Sequence, residues 1–141
     1  MKDDNKSQGL RNQLVGLLKN KGISNTKVLE AIRNVPRHWF MESGLESYAY
    51  EDKAYPISEN QTISQPYTVA FQTCLLNLNF GDKILEIGTG SGYQTSILIE
   101  LGAKVYSVER QSILFKKAKL LFSKLKWKPK KLIFGDGGLG Y

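Results

Sequence analysis

Two carboxylates and a run of glycines, each following a short apolar stretch, carry the chemistry that this sequence declares most clearly. Glu86-Ile87-Gly88-Thr89-Gly90-Ser91-Gly92 closes an apolar run that begins at Lys83 and opens a helical pattern from about Tyr93 to Leu101. A strand that ends in glycines and leads into a helix turns backbone N–H groups and the positive end of a helix dipole toward a ligand. The glycines fall at Gly88, Gly90 and Gly92, whereas a dinucleotide fingerprint would put its third at position 93, which is Tyr93. No Gly-Lys-Ser/Thr ending follows, so a phosphate-cradling P-loop is disfavoured. Glu109 stands 21 residues beyond Gly88. A carboxylate there accepts hydrogen bonds from ribose hydroxyls and repels a 2′-phosphate. Asp136, within Gly135-Asp136-Gly137, offers another acceptor after a third apolar run, and Glu86 adds a polar group just before the glycines. A glycine turn alone is often architecture, and Glu109 alone could be a surface charge. Three successive run ends, each with a group suited to one ligand, point to an adenosyl compound.

The elements that must position these groups alternate. Lys83 to Ile87, Val105 to Val108 and Lys131 to Phe134 read as buried strands. Helical patterns separate them, the second capped by Ser112 and carrying Leu114, Phe115, Ala118, Leu121, Phe122 and Leu125. Strand–helix alternation predicts parallel pairing through right-handed crossovers. The preceding residues read as helical, with Leu10, Leu14, Leu17 and Leu18 at helical spacing up to Lys21-Gly22. Asn25-Thr26 caps a second helix bearing Val28, Leu29 and Ile32, which Pro36 closes. Met41 to Ser64 reads as a long irregular loop. A third helix starts at Ser64-Gln65-Pro66 and turns Val69, Ala70, Leu75 and Leu76 inward. The fold class is therefore α/β: N-terminal helices, then the first half of a doubly wound, Rossmann-like parallel sheet. The expected division is a helical region, 1–80, with a substrate loop at 51–66, followed by a ligand-binding segment at 81–141.

Composition narrows the function classes. The chain has 141 residues and 41% hydrophobic content, enough for one core, with no apolar run near the length of a membrane span. The first residues, Met1 to Gln8, are polar, and Cys74 is the single cysteine, so a cytoplasmic location is expected and disulfide architecture is not. The net charge is +7, with eight lysines between Lys116 and Lys131. A nucleic-acid surface would use such charge, but the lysines fall on the polar side of an amphipathic helix and the turn after it.

The glycine loop, Glu109 and Gly135-Asp136-Gly137 resemble the first three cofactor motifs of class I S-adenosylmethionine-dependent methyltransferases. More specifically, Val35-Pro36-Arg37-His38-Trp39-Phe40, Gln61-Thr62-Ile63-Ser64-Gln65-Pro66-Tyr67 and Leu85 to Thr95 resemble the protein-L-isoaspartate O-methyltransferase family. These blocks span most of residues 28–137, and generic methyltransferases lack the second. The resemblance implies repair of damaged proteins by methylation of an isoaspartyl carboxylate, with S-adenosylmethionine as cofactor, S-adenosylhomocysteine as product and no metal. It makes Ser64 the active-site serine and puts Gln61, Thr62 and Ile63 along cofactor and substrate. Thr89 and Ser91 would border the methionine part, together with Glu86 and the three glycines Gly88, Gly90 and Gly92. Glu109, with Arg110 beside it, would take the ribose, and Asp136 with Gly137 the adenine.

A substrate carboxylate, with an ordinary pKa of about 3.9, is ionised at neutral pH, so methyl transfer calls for orientation and exclusion of water rather than a strong base. An uncharged Ser64 that orients the carboxylate suits this better than a nucleophilic serine, and Ser64 also reads as a helix cap. His38, the only histidine, reads as structural. Two departures from the family's pattern stand out. Ile57-Ser58-Glu59-Asn60 replaces an expected Ile-Gly-x-Gly, and Thr68 replaces a methionine.

The resemblance also implies further strands beyond Tyr141. Without them the first strand would expose an apolar edge. Self-association through that edge, or membership of a longer protein, is then expected, with weak or no turnover by this chain alone. The competing readings are a nucleic-acid methyltransferase, suggested by the lysines, and a non-catalytic S-adenosylmethionine-binding fragment.

Overall fold

Two helices with short polar caps begin the chain. In the computed structural model, which describes residues 1–139 and so leaves Tyr141 outside, α1 (Asn5–Asn20) starts where Asp4 accepts the Ser7 amide at 2.8 Å. Asn25 does the same for α2 (Thr26–Asn34), accepting from the Val28 amide at 3.1 Å. The two pack through Leu14, Val15 and Leu18 against Val28, Leu29 and Ile32.

The stretch from Met41 to Ser64 is more ordered than its sequence suggests. Short 3-10 turns at Arg37–Phe40 and Glu46–Tyr48 lead to an antiparallel hairpin of β1 (Tyr55–Pro56) and β2 (Thr62–Ile63), with Tyr55 opposite Ile63. Its tight turn puts Glu59 and Asn60 at φ 63° and 56°. Two successive positive φ values suit the twist of a hairpin. Ser58, where a glycine is expected, needs no such conformation. The turn has moved its demand onto Asn60, which tolerates it, and Glu59, which tolerates it less well.

Helix α3 (Pro66–Leu76) has proline in its first turn, and its capping residue is Gln65 rather than Ser64. The Tyr67 amide is satisfied by Asp52 Oδ1 at 2.8 Å. The inward face is Pro66, Val69, Ala70 and Thr73, so Leu75 and Leu76, expected inside, point outward, Leu75 with 70% exposure. Leu75 falls on the side of the helix opposite residues 66, 69, 70 and 73, whereas Leu76, at stripe spacing in the last turn, is 49% exposed.

Three parallel strands follow, β3 (Lys83–Ile87), β4 (Lys104–Glu109) and β5 (Lys131–Phe134), in the order β3-β4-β5. Ile87 lies opposite Val108, and Glu109 opposite Phe134. The crossovers are α4 (Tyr93–Glu100) and α5 (Ser112–Lys124). Gln111, not Ser112, precedes the first turn of α5, without a side-chain cap. One core runs through both segments, joining Ile97, Leu114, Ala118 and Phe122 to the α1 and α2 residues. Gly92 sits at φ 89°, and a Cβ there would meet Phe122 Cζ at 2.9 Å, so the loop lies close on α5. Among the described residues β3 pairs only with β4, and no helix is long and apolar enough to cross a membrane.

Candidate ligand and transfer site

The parallel register brings the C-terminal ends of β3, β4 and β5 side by side, which is where ligands of open α/β sheets sit. A cleft of about 340 Å³ opens there. Gly88 and Gly90 form one wall, Glu109, Arg110 and Gln111 a second, and Asp136 with Gly137 a third. Gln61 and Thr62 of the hairpin reach in from the opposite side, and Ile87 and Val108 give the cleft its apolar floor. Gly137 is required by packing, since a Cβ there would fall 2.3 Å from Ile87 Cγ2.

Glu109 is buried and doubly held. Its Oε1 accepts the Gly90 amide and its Oε2 the Gln111 amide, both at 2.9 Å. Each carboxylate oxygen keeps accepting capacity for a hydroxyl pair. The Asp136 Oδ1 is engaged by the Gly138 amide at 2.8 Å.

A second cleft, of about 400 Å³, adjoins the first through Ile87 and Gly88. Ser64, Glu86 and Gln94 line it together with Leu76, Leu85 and Leu98. Ser64 is exposed at this cleft. Glu86 keeps some exposure along the open side of β3, but its carboxyl is enclosed by fully buried neighbours. Its Oε1 accepts from Ser107 Oγ at 2.6 Å and from the Thr95 hydroxyl. Burial pushes this carboxyl up to about 7, with the Ser107 and Thr95 hydroxyls pulling the other way and the Glu109 charge adding to the rise.

Not every residue singled out from the sequence faces a cleft. Ile63 is buried in the core, and Thr89 turns inward to Ser107, with 2.6 Å between hydroxyls. Ser91 accepts the Tyr93 amide at 3.2 Å and borders a separate small cavity, and Gly92 serves the packing on Phe122. His38 joins Tyr50 and the Lys2 carbonyl, well away from either cleft.

Sequence reasoning overlooked the residue that holds the Ser64 segment. Arg37 is fully buried, and its guanidinium donates to the carbonyls of Ala49 (2.6 Å), Lys53 (3.0 Å) and Ser64 (3.1 Å). It lies 5.9 Å from the ring centroid of Tyr93, the first residue of α4. The desolvated guanidinium is pulled below its ordinary range, so the site holds a charge at a cost. The Pro36-Arg37-His38 block was the one signal of it, and no spacing rule would have put that arginine inside. Asp52 is the other anchor: burial raises its pKa, but Lys21, the Tyr67 amide and Gln65 outweigh that and hold it low.

The donor set suits an adenosyl ligand: two carboxylates for hydroxyl and amine groups, backbone amides around the loop, and an apolar floor. Comparison with known proteins agrees with this outline. Residues 9–141 match the family model described as protein-L-isoaspartate(D-aspartate) O-methyltransferase. A protein-L-isoaspartate O-methyltransferase of Flavobacterium psychrophilum is 63% identical over 140 residues, covering 99% of this chain and 66% of the relative. One from Cytophaga hutchinsonii is 49% identical, covering 99% of this chain and 63% of the relative. The chain thus spans just under two thirds of the length of these relatives. A solved protein-L-isoaspartate O-methyltransferase superposes with a TM-score of 0.79 at 31% identity, over 90% of this chain and 42% of the other. A Plasmodium falciparum structure in complex with S-adenosyl-L-homocysteine shares the fold, with a TM-score of 0.68 at 24% identity over 89% of this chain and 62% of that one.

Proposed function

The chain belongs to the protein-L-isoaspartate(D-aspartate) O-methyltransferase family, and from that premise we propose that its two adjoining clefts serve methyl transfer to the carboxylate of isoaspartyl residues in damaged proteins. The observation that carries the proposal is the shared wall. Ser64 opens on a cleft that meets the cleft of Glu109 and Asp136 at Gly88.

S-adenosylmethionine, when bound, supplies an electrophilic sulfonium methyl and leaves as S-adenosylhomocysteine. Glu109 would take the ribose hydroxyls, Asp136 and Gly137 the adenine, and Glu86 with Gly88 and Gly90 the amino-acid end. A substrate carboxylate oxygen forms the new bond to the methyl carbon as the carbon–sulfur bond breaks, and that electron pair stays on sulfur. No proton moves, so no general base is called for. The Ser64 hydroxyl orients the carboxylate, and Gln61 and Thr62 cover the adjoining cofactor cleft from water. A cytoplasmic setting belongs to the same proposal and is supported by the single free cysteine. So does self-association through the open edge of β3, where Leu85 and Ile87 are about half exposed. Light scattering is expected to report a species larger than a monomer, and a stable soluble monomer would count against that part.

The test is transfer of a labelled methyl from S-adenosylmethionine to an isoaspartyl peptide, with the matched aspartyl peptide and RNA as controls. Label on the isoaspartyl peptide alone supports the proposal, even at a low rate. Label on RNA alone would favour the lysine-rich face of α5 as a nucleic-acid surface and overturn it.

A further inference from the structure

The hairpin that brings Gln61 and Thr62 over the nucleoside cleft has strands of only two residues each, too short to hold their position unaided. Its tip is fastened elsewhere. The Ser58 amide and hydroxyl both donate to Glu42 Oε1, at 3.1 and 3.2 Å. Lys117 Nζ donates to the Ser58 hydroxyl and lies 3.4 Å from the same Glu42 oxygen. Three separate elements meet here: Glu42 follows the Arg37–Phe40 turn, Ser58 is on the hairpin, and Lys117 is on α5, just beyond the strand that carries Glu109. Ile57, next to Ser58, lies over the glycine loop, 3.8 Å from where a Cβ on Gly90 would be.

Beneath the tip is a cavity of about 140 Å³ bordered by Met41, Glu42, Ile57, Gly90 and Lys117. Ile57 and Ile63 anchor the hairpin in the core, so the part that is not packed down is its tip at Ser58, Glu59 and Asn60, and the polar cluster supplies the missing contact there. That cluster is open to solvent, Lys117 with 54% of its side chain exposed, so it can break and re-form without disturbing the core. Ser58 itself is the position where the sequence departs from the glycine of the family's pattern, and a glycine would provide no hydroxyl for Lys117.

We propose that Glu42, Ser58 and Lys117 form a latch that holds the hairpin over the nucleoside cleft, so that its opening sets the rate at which an adenosyl ligand leaves. The latch residues are positioning residues, acting through Gln61 and Thr62. The proposal rests on the adenosyl assignment of that cleft, and the experiment separates the two.

Dissociation of S-adenosylhomocysteine from the 141-residue chain would be followed by rapid mixing, alongside amide exchange of the hairpin. Lys117→Ala and Glu42→Ala are expected to speed release by about three- to ten-fold, the range for a half-exposed ion pair with its hydrogen bonds. Lys117→Arg should restore most of the parent rate, and Lys116→Ala, at an exposed lysine on the same helix, should leave it unchanged. Added salt should speed release from the parent and not from Lys117→Ala. The Ile57 and Gln61 amides, which close the hairpin, should exchange faster in the latch variants while the β3–β4 amides do not change. Equal release from Lys117→Ala and the parent would overturn the latch, as would an equal gain in Lys116→Ala. A parent chain that binds no S-adenosylhomocysteine would overturn the adenosyl assignment, and the latch's role with it.

Discussion

Replacing Arg37 with alanine is expected to lower the unfolding free energy by about 3–5 kcal/mol, a cost typical of breaking a buried charged network. Three carbonyls, those of Ala49, Lys53 and Ser64, would lose their donor at once, that of Ala49 in a region closed to water. Each such orphaned group costs about 1–3 kcal/mol, and only partial entry of water would soften the total. Arg37 Nε has no partner among the described residues, so the native site already carries one unmet donor and has little slack. For a chain of this size the loss corresponds to a fall in Tm of roughly 10–15 °C. Lysine keeps the charge but lacks the planar fork that reaches several carbonyls together, so Arg37→Lys should recover less than half the loss. Chemical denaturation followed by circular dichroism measures both. A loss below about 1 kcal/mol for the alanine variant would mean that the Ser64 segment is not held this way.

Glu86 should make stability fall as the pH rises, the reverse of the usual carboxylate. Its carboxyl titrates near 4.5 in the unfolded chain and about 7 in the folded one. Between those values the folded state keeps a proton that the unfolded state has released, so raising the pH favours unfolding. The contribution is present in full below pH 4.5, is lost progressively toward pH 7 and is absent above it. The span of the shift corresponds to about 3 kcal/mol. Glu86→Gln removes the titration while leaving an acceptor for Thr95 and Ser107. The difference in stability between variant and parent should therefore grow from pH 5 to pH 7.5 and then level off, with the variant about 1–3 kcal/mol more stable at the plateau. Above pH 7, where the parent carboxylate is ionised, the same variant should bind S-adenosylhomocysteine more weakly, because a neutral amide is a poorer partner for an ammonium group. A difference that does not change with pH would show that Glu86 ionises normally.

The sheet and its glycine loop were legible because their signals are local. Lys83–Ile87 and Lys131–Phe134 have the lengths read from the apolar runs, and glycines at positive φ mark the turn between β3 and α4. The three strand ends needed only the rule that parallel strands share a direction. The hairpin was not legible, because strands of two residues are shorter than any period can reveal. The outward leucines of α3 were misread for two reasons: Leu75 stands opposite the stripe of residues 66, 69, 70 and 73, and Leu76, at stripe spacing, is the last residue of the helix. Arg37 was invisible because an arginine inside a protein is decided by carbonyls that here lie 12 to 27 residues away along the chain. Thr89 and Ile63 show the limit of a motif, which marks a segment beside the cleft without saying which way each side chain turns.

The most direct test of the adenosyl assignment is calorimetric titration of the 141-residue chain with S-adenosyl-L-homocysteine, repeated with Glu109→Ala. The expected result is one site per chain in the parent. In the variant affinity should be weakened by about 100-fold or more, the cost of losing a buried charged acceptor for two hydroxyls. No binding by the parent, or equal binding by both, would contradict the account.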